Sequence, residues 1–409
     1  MDLQISGPRQ QRLQQDITIT GSKSESNRLL LLRALYPGIE IRNLSNSDDA
    51  RVMQNGLASG ADTVDIHHAG TAMRFLTAYF ASREGREVTL TGSQRMKERP
   101  IEILVEALRD LGAEIDYLEN PGCPPLRIRG KRLEKSEVTL PAHVSSQYIS
   151  ALLLIAPSLP NGLTLHLEGT ITSVPYIRMT LGLLDRLGVK TEFRDQTIRV
   201  EHAASLPESI CTVESDWSSA SYFYSLVALS PTGSQIGLRS FRGDSLQGDS
   251  VLPEIFGQLG VESHFEDDRL EITRSGDPDS DFFRCDLIRS PDLAQTLAAC
   301  CFGLGIGCEL TGLHTLKIKE TDRLVALENE LKKLGAEIRV TDKSLHLEPS
   351  RRIVAMQRIR TYNDHRMAMA FAPLGLKTDL VIEDAGVVSK SYPDFWEDLE
   401  ALGFSHLEV

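Results

Sequence analysis

The sequence is short of cysteine. Cys123, Cys211, Cys285, Cys300, Cys301 and Cys308 are scattered, with no Cys-x-x-Cys pair, so neither a disulfide framework nor a zinc site is indicated and a reducing, cytoplasmic setting is expected. Positive charge is also short: 44 Lys and Arg stand against 57 Asp and Glu, a formal net charge of -13. That balance argues against nucleic acid or an acidic membrane surface as a partner, because both require a net positive face. No apolar run approaches membrane-spanning length, and the start Met1-Asp-Leu-Gln-Ile-Ser-Gly-Pro8 lacks the basic head and apolar core of a signal peptide. Also missing is the Gly-x-x-x-x-Gly-Lys spacing of a nucleotide-binding loop. The glycines of Gly303-Leu-Gly-Ile-Gly307 lack the preceding strand of a dinucleotide fingerprint, so close helix packing explains them better. No cofactor is expected. Adjacent His67 and His68 point to opposite sides of an extended chain and make a poor metal pair, so no metal is expected either.

What the sequence does have is a repeated grammar. Helical runs that end in Leu-Gly and turn into strands occur at Leu111-Gly112, Leu187-Gly188, Leu259-Gly260, Leu334-Gly335 and Leu402-Gly403, and an earlier copy is expected to end near Gly60. The spacing, roughly seventy to seventy-five residues, marks supersecondary units, each too small to bury its own apolar helix face alone. In the clearest copy, Leu324, Leu327, Leu331 and Leu334 form one apolar stripe, Thr321 is placed to cap its start and Gly335 closes it. Two alternating runs, Ala336–Val340 and Leu345–Leu347, then read as a hairpin. Six such units in 409 residues fit two α/β domains of three units each.

Residues of special chemistry fall at the junctions where a strand meets a helix. Ile17–Thr20 reads as a strand leading into Gly21-Ser-Lys-Ser-Glu-Ser-Asn-Arg28, with a helix over Leu29–Leu35. Strand, small polar loop and helix start make a natural anion site, which Lys23, Ser24 and Arg28 would strengthen. A capped surface helix is the competing account. Similar junctions hold His68-Ala-Gly-Thr-Ala-Met-Arg74, the cationic Arg95-Met-Lys-Glu-Arg-Pro100, Ser145-Ser-Gln147, and Ser173-Val-Pro-Tyr176; for either serine segment taken alone, helix capping is the favoured account. Ser215–Ser221 opens the second half, where Asp292, Lys319, Glu320, Arg323, Asn363-Asp-His-Arg366 and Lys390 follow. Asp292 is placed either to cap a helix or, among so many cations, to act as a base. If the halves face each other, Lys23, Arg28, Arg74, Arg95, Lys319, Arg323, Arg366 and Lys390 converge on one cleft and suit more than one phosphate or carboxylate.

Taken in order, Gly21-Ser-Lys-Ser-x-Ser-Asn-Arg28, Ala69-Gly-Thr-Ala-Met-Arg74, Arg95-Met-Lys-Glu-Arg-Pro-Ile101, Ser145-Ser-Gln147, Lys319-Glu-Thr-Asp-Arg323 and Asn363-Asp-His-Arg366-Met-Ala-Met369 resemble the 5-enolpyruvylshikimate-3-phosphate synthase family over essentially the whole chain. The resemblance implies the two-domain enolpyruvyl transferase fold of six βαβαββ units, an inside-out α/β barrel. The N-terminal domain would span 20–214, the C-terminal domain 1–19 with 215–409, and the active site would lie in the cleft between them. It also implies transfer of the enolpyruvyl group of phosphoenolpyruvate to the 5-hydroxyl of shikimate 3-phosphate, with release of phosphate, in the shikimate pathway to chorismate and the aromatic amino acids. The family is the target of the herbicide glyphosate. Carried over by position, Lys23, Gly70, Arg95, Gln147, Arg323, Arg366 and Lys390 would hold phosphoenolpyruvate. Ser24, Arg28, Ser145, Ser146, Ser173, Asp292, Thr315 and Lys319 would hold shikimate 3-phosphate. Asp292 would be the base and Glu320 the acid, with Lys319 and Lys23 also in the catalytic set, and a monomer is expected.

The chain departs from the family pattern at a few places. The first unit is short between Asp49 and Gly70, which predicts a reduced or missing hairpin; His68 and Thr315 each stand where the family usually has Asn, and Phe75 where it has Pro. A sister family that transfers enolpyruvate to UDP-N-acetylglucosamine shares the fold but typically has a Cys in the loop before Arg99-Pro100, where this chain reads Gly92-Ser-Gln-Arg95. A non-catalytic anion-binding repeat protein is the alternative from another class, and it would not need Asp292 and Glu320 beside the cations.

Overall fold

A computed structural model gives the fold, and it describes residues 1–141, 145–169, 171 and 174–409, with Ile318 described by its backbone alone. The chain divides into two compact units, one formed by Gly21–Val213 and the other by Met1–Thr20 with Glu214–Val409. Each unit is built on three helices that are buried nearly all round, as expected of helices lying inside a ring of sheets rather than on a surface. In the first unit these are Lys23–Leu35, Gly70–Ala81 and Ser146–Ile155. In the second they are Trp217–Leu229, Ala294–Leu304 and His365–Phe371. Along Gly70–Ala81 only Thr71 escapes burial, and along Trp217–Leu229 only Ser218 does. Both exceptions lie in the first turn, and both carry polar contacts described below.

Small sheets cover these helices. Among the described residues five are four-stranded and one has two strands. A typical one holds Phe282–Asp286 parallel to Gly307–Thr311, which pairs antiparallel with Leu345–Leu347, itself paired with Ile338–Val340. The expected hairpin is therefore present. The glycine of every Leu-Gly pair in the repeat, Gly112, Gly188, Gly260, Gly335 and Gly403, has left-handed backbone with φ of 110°, 87°, 80°, 98° and 87°. A glycine closes each unit because a Cβ disfavours that conformation.

The first repeat is the exception. Its second helix ends at Ala58, Gly60 is not left-handed, and the next strand, Thr63–Asp65, already belongs to the neighbouring sheet. With no hairpin among the described residues, Ile39–Arg42 pairs there with Ser209–Thr212 alone. The shortened stretch before Gly70 thus shows up as a two-stranded sheet.

Local boundaries differ from the sequence reading at three places. The strand expected at Ile17–Thr20 is Gln14–Ile17, parallel to Gln235–Leu238; the alternating burial of Ile17 and Ile19 is real, but the chain has left the sheet by Thr18. The helix expected from Leu29 begins at Lys23, capped by the Ser22 hydroxyl, so Lys23, Ser24 and Arg28 lie on the helix and not in a loop. Asp322, not Thr321, caps the helix Arg323–Lys333, accepting a hydrogen bond from the Val325 N–H at 3.2 Å. A carboxylate does this well because it also faces the positive helix end.

The N-terminal twenty residues belong with the later unit because they complete two of its sheets: Leu3–Ser6 lies between Leu380–Ile382 and Ser405–Glu408, and Gln14–Ile17 is an edge strand. Gly303 has no Cβ because one would sit 2.8 Å from both Leu229 and Leu374, which is the close packing expected of that glycine run. No described helix is long and apolar enough to cross a membrane.

Candidate active site

In the unit that contains Glu214–Val409, the site residues converge on one buried guanidinium. Arg323 begins its helix with a side chain 2% exposed, and its nitrogens meet three carboxylates. Nε donates to Asp364 Oδ2 at 2.6 Å, Nη1 to Asp292 Oδ1 at 2.8 Å and Nη2 to Glu320 Oε2 at 2.8 Å. Burial by itself would weaken the hold on the proton, but the charges of Asp364, Glu320 and Asp292 outweigh it and raise the guanidinium above its ordinary value.

Asp292 is shared. Its Oδ1 also lies 3.5 Å from Lys319 Nζ, and its Oδ2 accepts from Arg366 Nη2 at 3.1 Å. It does not cap the following helix, whose first residue has no side-chain cap; the carboxylate turns to the three cations instead. Arg366 further contacts the Ser218 hydroxyl at 3.2 Å and the Tyr222 hydroxyl at 3.5 Å. Ser218 in turn donates to Asp249. Burial, and then the nearby charge of Asp292, pushes the Asp249 carboxyl up to about 6. Lys390 donates to the carbonyl of Asn363 at 2.7 Å and to its side-chain oxygen at 2.6 Å, beside Asp364. Thr315 Oγ1 is buried without a hydrogen-bond partner among the described residues.

Sequence reading named Asp292, Lys319, Glu320, Arg323 and Arg366, and the fold brings all five together. It missed Asp364, Asp249, Ser218 and Tyr222. Asp364 lay within a quoted motif, where a residue ahead of a helix reads simply as a cap, and it does cap: Oδ1 accepts from the Arg366 N–H at 3.0 Å. Nothing in the local pattern announces its second role, because Arg323 is 41 residues away in the chain.

The unit Gly21–Val213 holds the second group. Lys23 Nζ lies 3.5 Å from Asp49, and Asp49 lines a cavity of about 270 Å³ with Asp48, Arg51, Val52, Ile66, His67, His68 and Ala69. Gly70 follows Ala69 at the start of its helix, which no side chain caps. Next to it, Thr71 accepts from Gln147 Nε2 at 3.2 Å, and Ser145 caps the Gln147 helix, with Ser146 buried in its first turn. Gln147 is thus placed at the first turn of the Gly70 helix.

The arginines of this unit divide differently from the sequence reading. Arg28, expected as a ligand, is buried, and its guanidinium donates to Thr180 Oγ1 at 2.8 Å, the Ser24 carbonyl at 2.7 Å, Ser150 Oγ at 3.0 Å and the Tyr176 carbonyl at 3.4 Å. Phe75, fully buried, lies beneath it with the ring centroid 5.5 Å away. Burial lowers Arg28 to about 10. Arg74 is likewise buried, donating to the carbonyls of Gly70 and Pro100, both at 3.1 Å. Arg95 points outward and pairs with Glu98 at 3.1 Å. Ser173 lies outside the described residues.

This arrangement provides cations to bind anions, a carboxylate base among cations and a second carboxylate within reach of the same arginine, the equipment for proton transfer coupled to stabilisation of developing charge. Comparison with known proteins points the same way. Residues 54–399 match the family model described as EPSP synthase (3-phosphoshikimate 1-carboxyvinyltransferase). A 3-phosphoshikimate 1-carboxyvinyltransferase of Bacteroides fragilis is 46% identical over 411 residues, covering 98% of this chain and 97% of that protein. The protein of the same name from Vibrio atlanticus is 35% identical over 423 residues, covering 96% and 97%. Among solved structures, EPSP synthase from Acinetobacter baumannii superposes with a TM-score of 0.80 at 21% identity, over 100% of both chains. The enolpyruvyl transferase NikO from Streptomyces tendae gives 0.76 at 16%, over 100% of this chain and 99% of that one.

Proposed function

The chain belongs to the EPSP synthase family and transfers the enolpyruvyl group of phosphoenolpyruvate to shikimate 3-phosphate in the shikimate pathway, and we infer that Asp292 and Glu320 move the protons of that reaction. The observation that carries this reading is the position of Asp292, a carboxylate met by Arg323, Arg366 and Lys319 at 2.8, 3.1 and 3.5 Å. The 5-hydroxyl of shikimate 3-phosphate gives its proton to Asp292 as its oxygen bonds to C2 of phosphoenolpyruvate, while the methylene carbon takes a proton from Glu320. Glu320 then takes a proton back from the methyl group as the C–O bond to phosphate breaks, Asp292 passes its proton to the departing phosphate, and the carbon–carbon double bond is restored in the enol ether product. Negative charge gathers on phosphate and carboxylate oxygens during both steps, which cations already fixed in place stabilise without reorganising.

Lys23, Gly70, Gln147, Arg95, Arg323, Arg366 and Lys390 hold phosphoenolpyruvate in this reading. Ser24, Ser145, Ser146, Ser173, Thr315 and Lys319 hold shikimate 3-phosphate, with Arg28 orienting Ser24 from below through its carbonyl. The test is direct: the purified protein is incubated with phosphoenolpyruvate and shikimate 3-phosphate, released phosphate is measured and the product is weighed by mass spectrometry. UDP-N-acetylglucosamine in place of shikimate 3-phosphate should give no phosphate, and the reverse result would move the protein to the sister activity.

A further inference from the structure

Arg99 is a cation with no assigned task. Its guanidinium lies on Gly70: a Cβ built there would be 2.6 Å from Nη1 and 3.1 Å from both Cζ and Nη2. Among the described residues its side chain makes no hydrogen bond or ion pair, although it is half-buried. The backbone around it is firmly held. The Arg99 N–H donates to the Met96 carbonyl at 3.1 Å, and the Pro100 carbonyl accepts from both Arg74 Nη2 at 3.1 Å and the Tyr148 hydroxyl at 2.6 Å. Arg74 also reaches the Gly70 carbonyl and, at 3.6 Å, the Met96 sulfur. The buried Arg74 therefore ties the Gly70 helix start to the Arg95–Pro100 turn and fixes where Arg99 emerges.

Two guanidinium groups are thus packed side by side, and neither has a carboxylate partner among the described residues. Their mutual effect is felt: after burial, the charge of Arg99 is the next cause lowering Arg74 to about 10. Such a pair is costly unless an anion joins it. Arg95, at the other end of the same turn, has a carboxylate neighbour in Glu98 and a side chain 67% exposed.

We propose that Arg99 is a further phosphoenolpyruvate-binding residue, presenting its planar fork over Gly70 to the phosphoryl group. This rests on the function proposed above. A guanidinium can give two parallel N–H bonds to such a group, and the uncapped N–H groups of the Gly70 helix point to the same place. Glycine stands at position 70 because a side chain there would displace the fork.

The test uses Arg99→Met, which keeps an apolar stem and removes the charge, and Arg99→Lys. With the wild-type enzyme as reference, the KM for phosphoenolpyruvate should rise about 10- to 100-fold in Arg99→Met, the range for a lost hydrogen bond to a charged group. The KM for shikimate 3-phosphate should stay within about threefold, and Lys should restore only part of the loss because it lacks the fork. The melting temperature of the ligand-free protein should not fall, since the side chain bonds nothing in the fold and its charge opposes that of Arg74. Gly70→Ala should raise the same KM in the wild-type background but add little in Arg99→Met, because the displaced group is already gone. Calorimetric titration with inorganic phosphate is independent of turnover: wild type should bind it more tightly than Arg99→Met. If the wild type binds phosphate but does not turn over the two substrates, the parent function fails while the anion site stands. Equal phosphate binding by both proteins, or an unchanged KM in Arg99→Met, overturns the proposal.

Discussion

Replacing Arg323 by Ala should unfold more than a binding contact. The side chain is 2% exposed and Asp364, on which two of its nitrogens converge, is 0% exposed, so the substitution leaves a buried carboxylate with its cation gone. Breaking a buried pair in this way typically costs about 3–5 kcal/mol. For a unit of this size, with a melting shift of about 2–4 °C per kcal/mol, the Tm should fall by about 6–20 °C. Turnover should collapse as well, because Asp292 and Glu320 lose the guanidinium that orients both, at 2.8 Å each. Thermal unfolding followed by circular dichroism, with steady-state kinetics well below the new Tm, separates the two effects. The double variant Arg323→Ala/Asp364→Asn is the control. Neutralising Asp364 removes the stranded charge, and Asn can still cap the Arg366 helix, so much of the lost Tm should return while activity does not. If Arg323→Ala melts within about 2 °C of wild type and merely raises the KM for phosphoenolpyruvate, the triple carboxylate contact is not what holds this part of the unit, and Arg323 is a ligand only.

Asp292→Asn and Glu320→Gln should each lower kcat by about a hundred- to ten-thousandfold with smaller changes in KM, since each removes a proton-transfer group; near-normal turnover in either variant assigns its role elsewhere. Asp249, raised to about 6 in the fold against about 3.9 in an unfolded chain, holds a proton in the folded state between these values that the unfolded state has released. The fold therefore loses stability as pH rises from about 4 to about 6: Asp249→Asn should melt above wild type at pH 8, by an amount that shrinks below about pH 6 and is gone only by about pH 4, and a pH-independent difference would contradict the shift. Phe75→Leu should lower the Tm through lost packing and the lost ring face under Arg28, the latter on the order of 2 kcal/mol for a desolvated pair. The same loss in an Arg28→Met background would show that ring and guanidinium do not interact.

The repeat could be read without any tertiary information because its signals are local. A left-handed residue after a helix demands glycine, and Gly112, Gly188, Gly260, Gly335 and Gly403 supply it. The apolar stripe from Leu324 to Leu334 and the hairpin behind it depend on spacing along a few turns of chain, as does the missing hairpin before Gly70. The chemical residue types were legible for a related reason: Asp292, Lys319, Glu320, Arg323 and Arg366 stand at strand-to-helix junctions, and the fold aims those junctions at a common point.

Only the tertiary structure decided what each cation faces. Arg28, Arg74, Arg95 and Arg323 look alike in sequence, each polar and each near a helix start. Arg28 turns inward because Thr180 and Ser150, separated from it by 152 and 122 residues, bring oxygens to it. Arg74 is spent on the carbonyl of Pro100, 26 residues on, and in fixing that turn it leaves Arg99 over Gly70. Arg323 is surrounded by Asp292 and Asp364, 31 and 41 residues away. Backbone conformation is settled by neighbours in the chain, whereas a long charged side chain takes whichever partner the packing delivers within about 3 Å, and the distance along the chain to that partner carries no local signal.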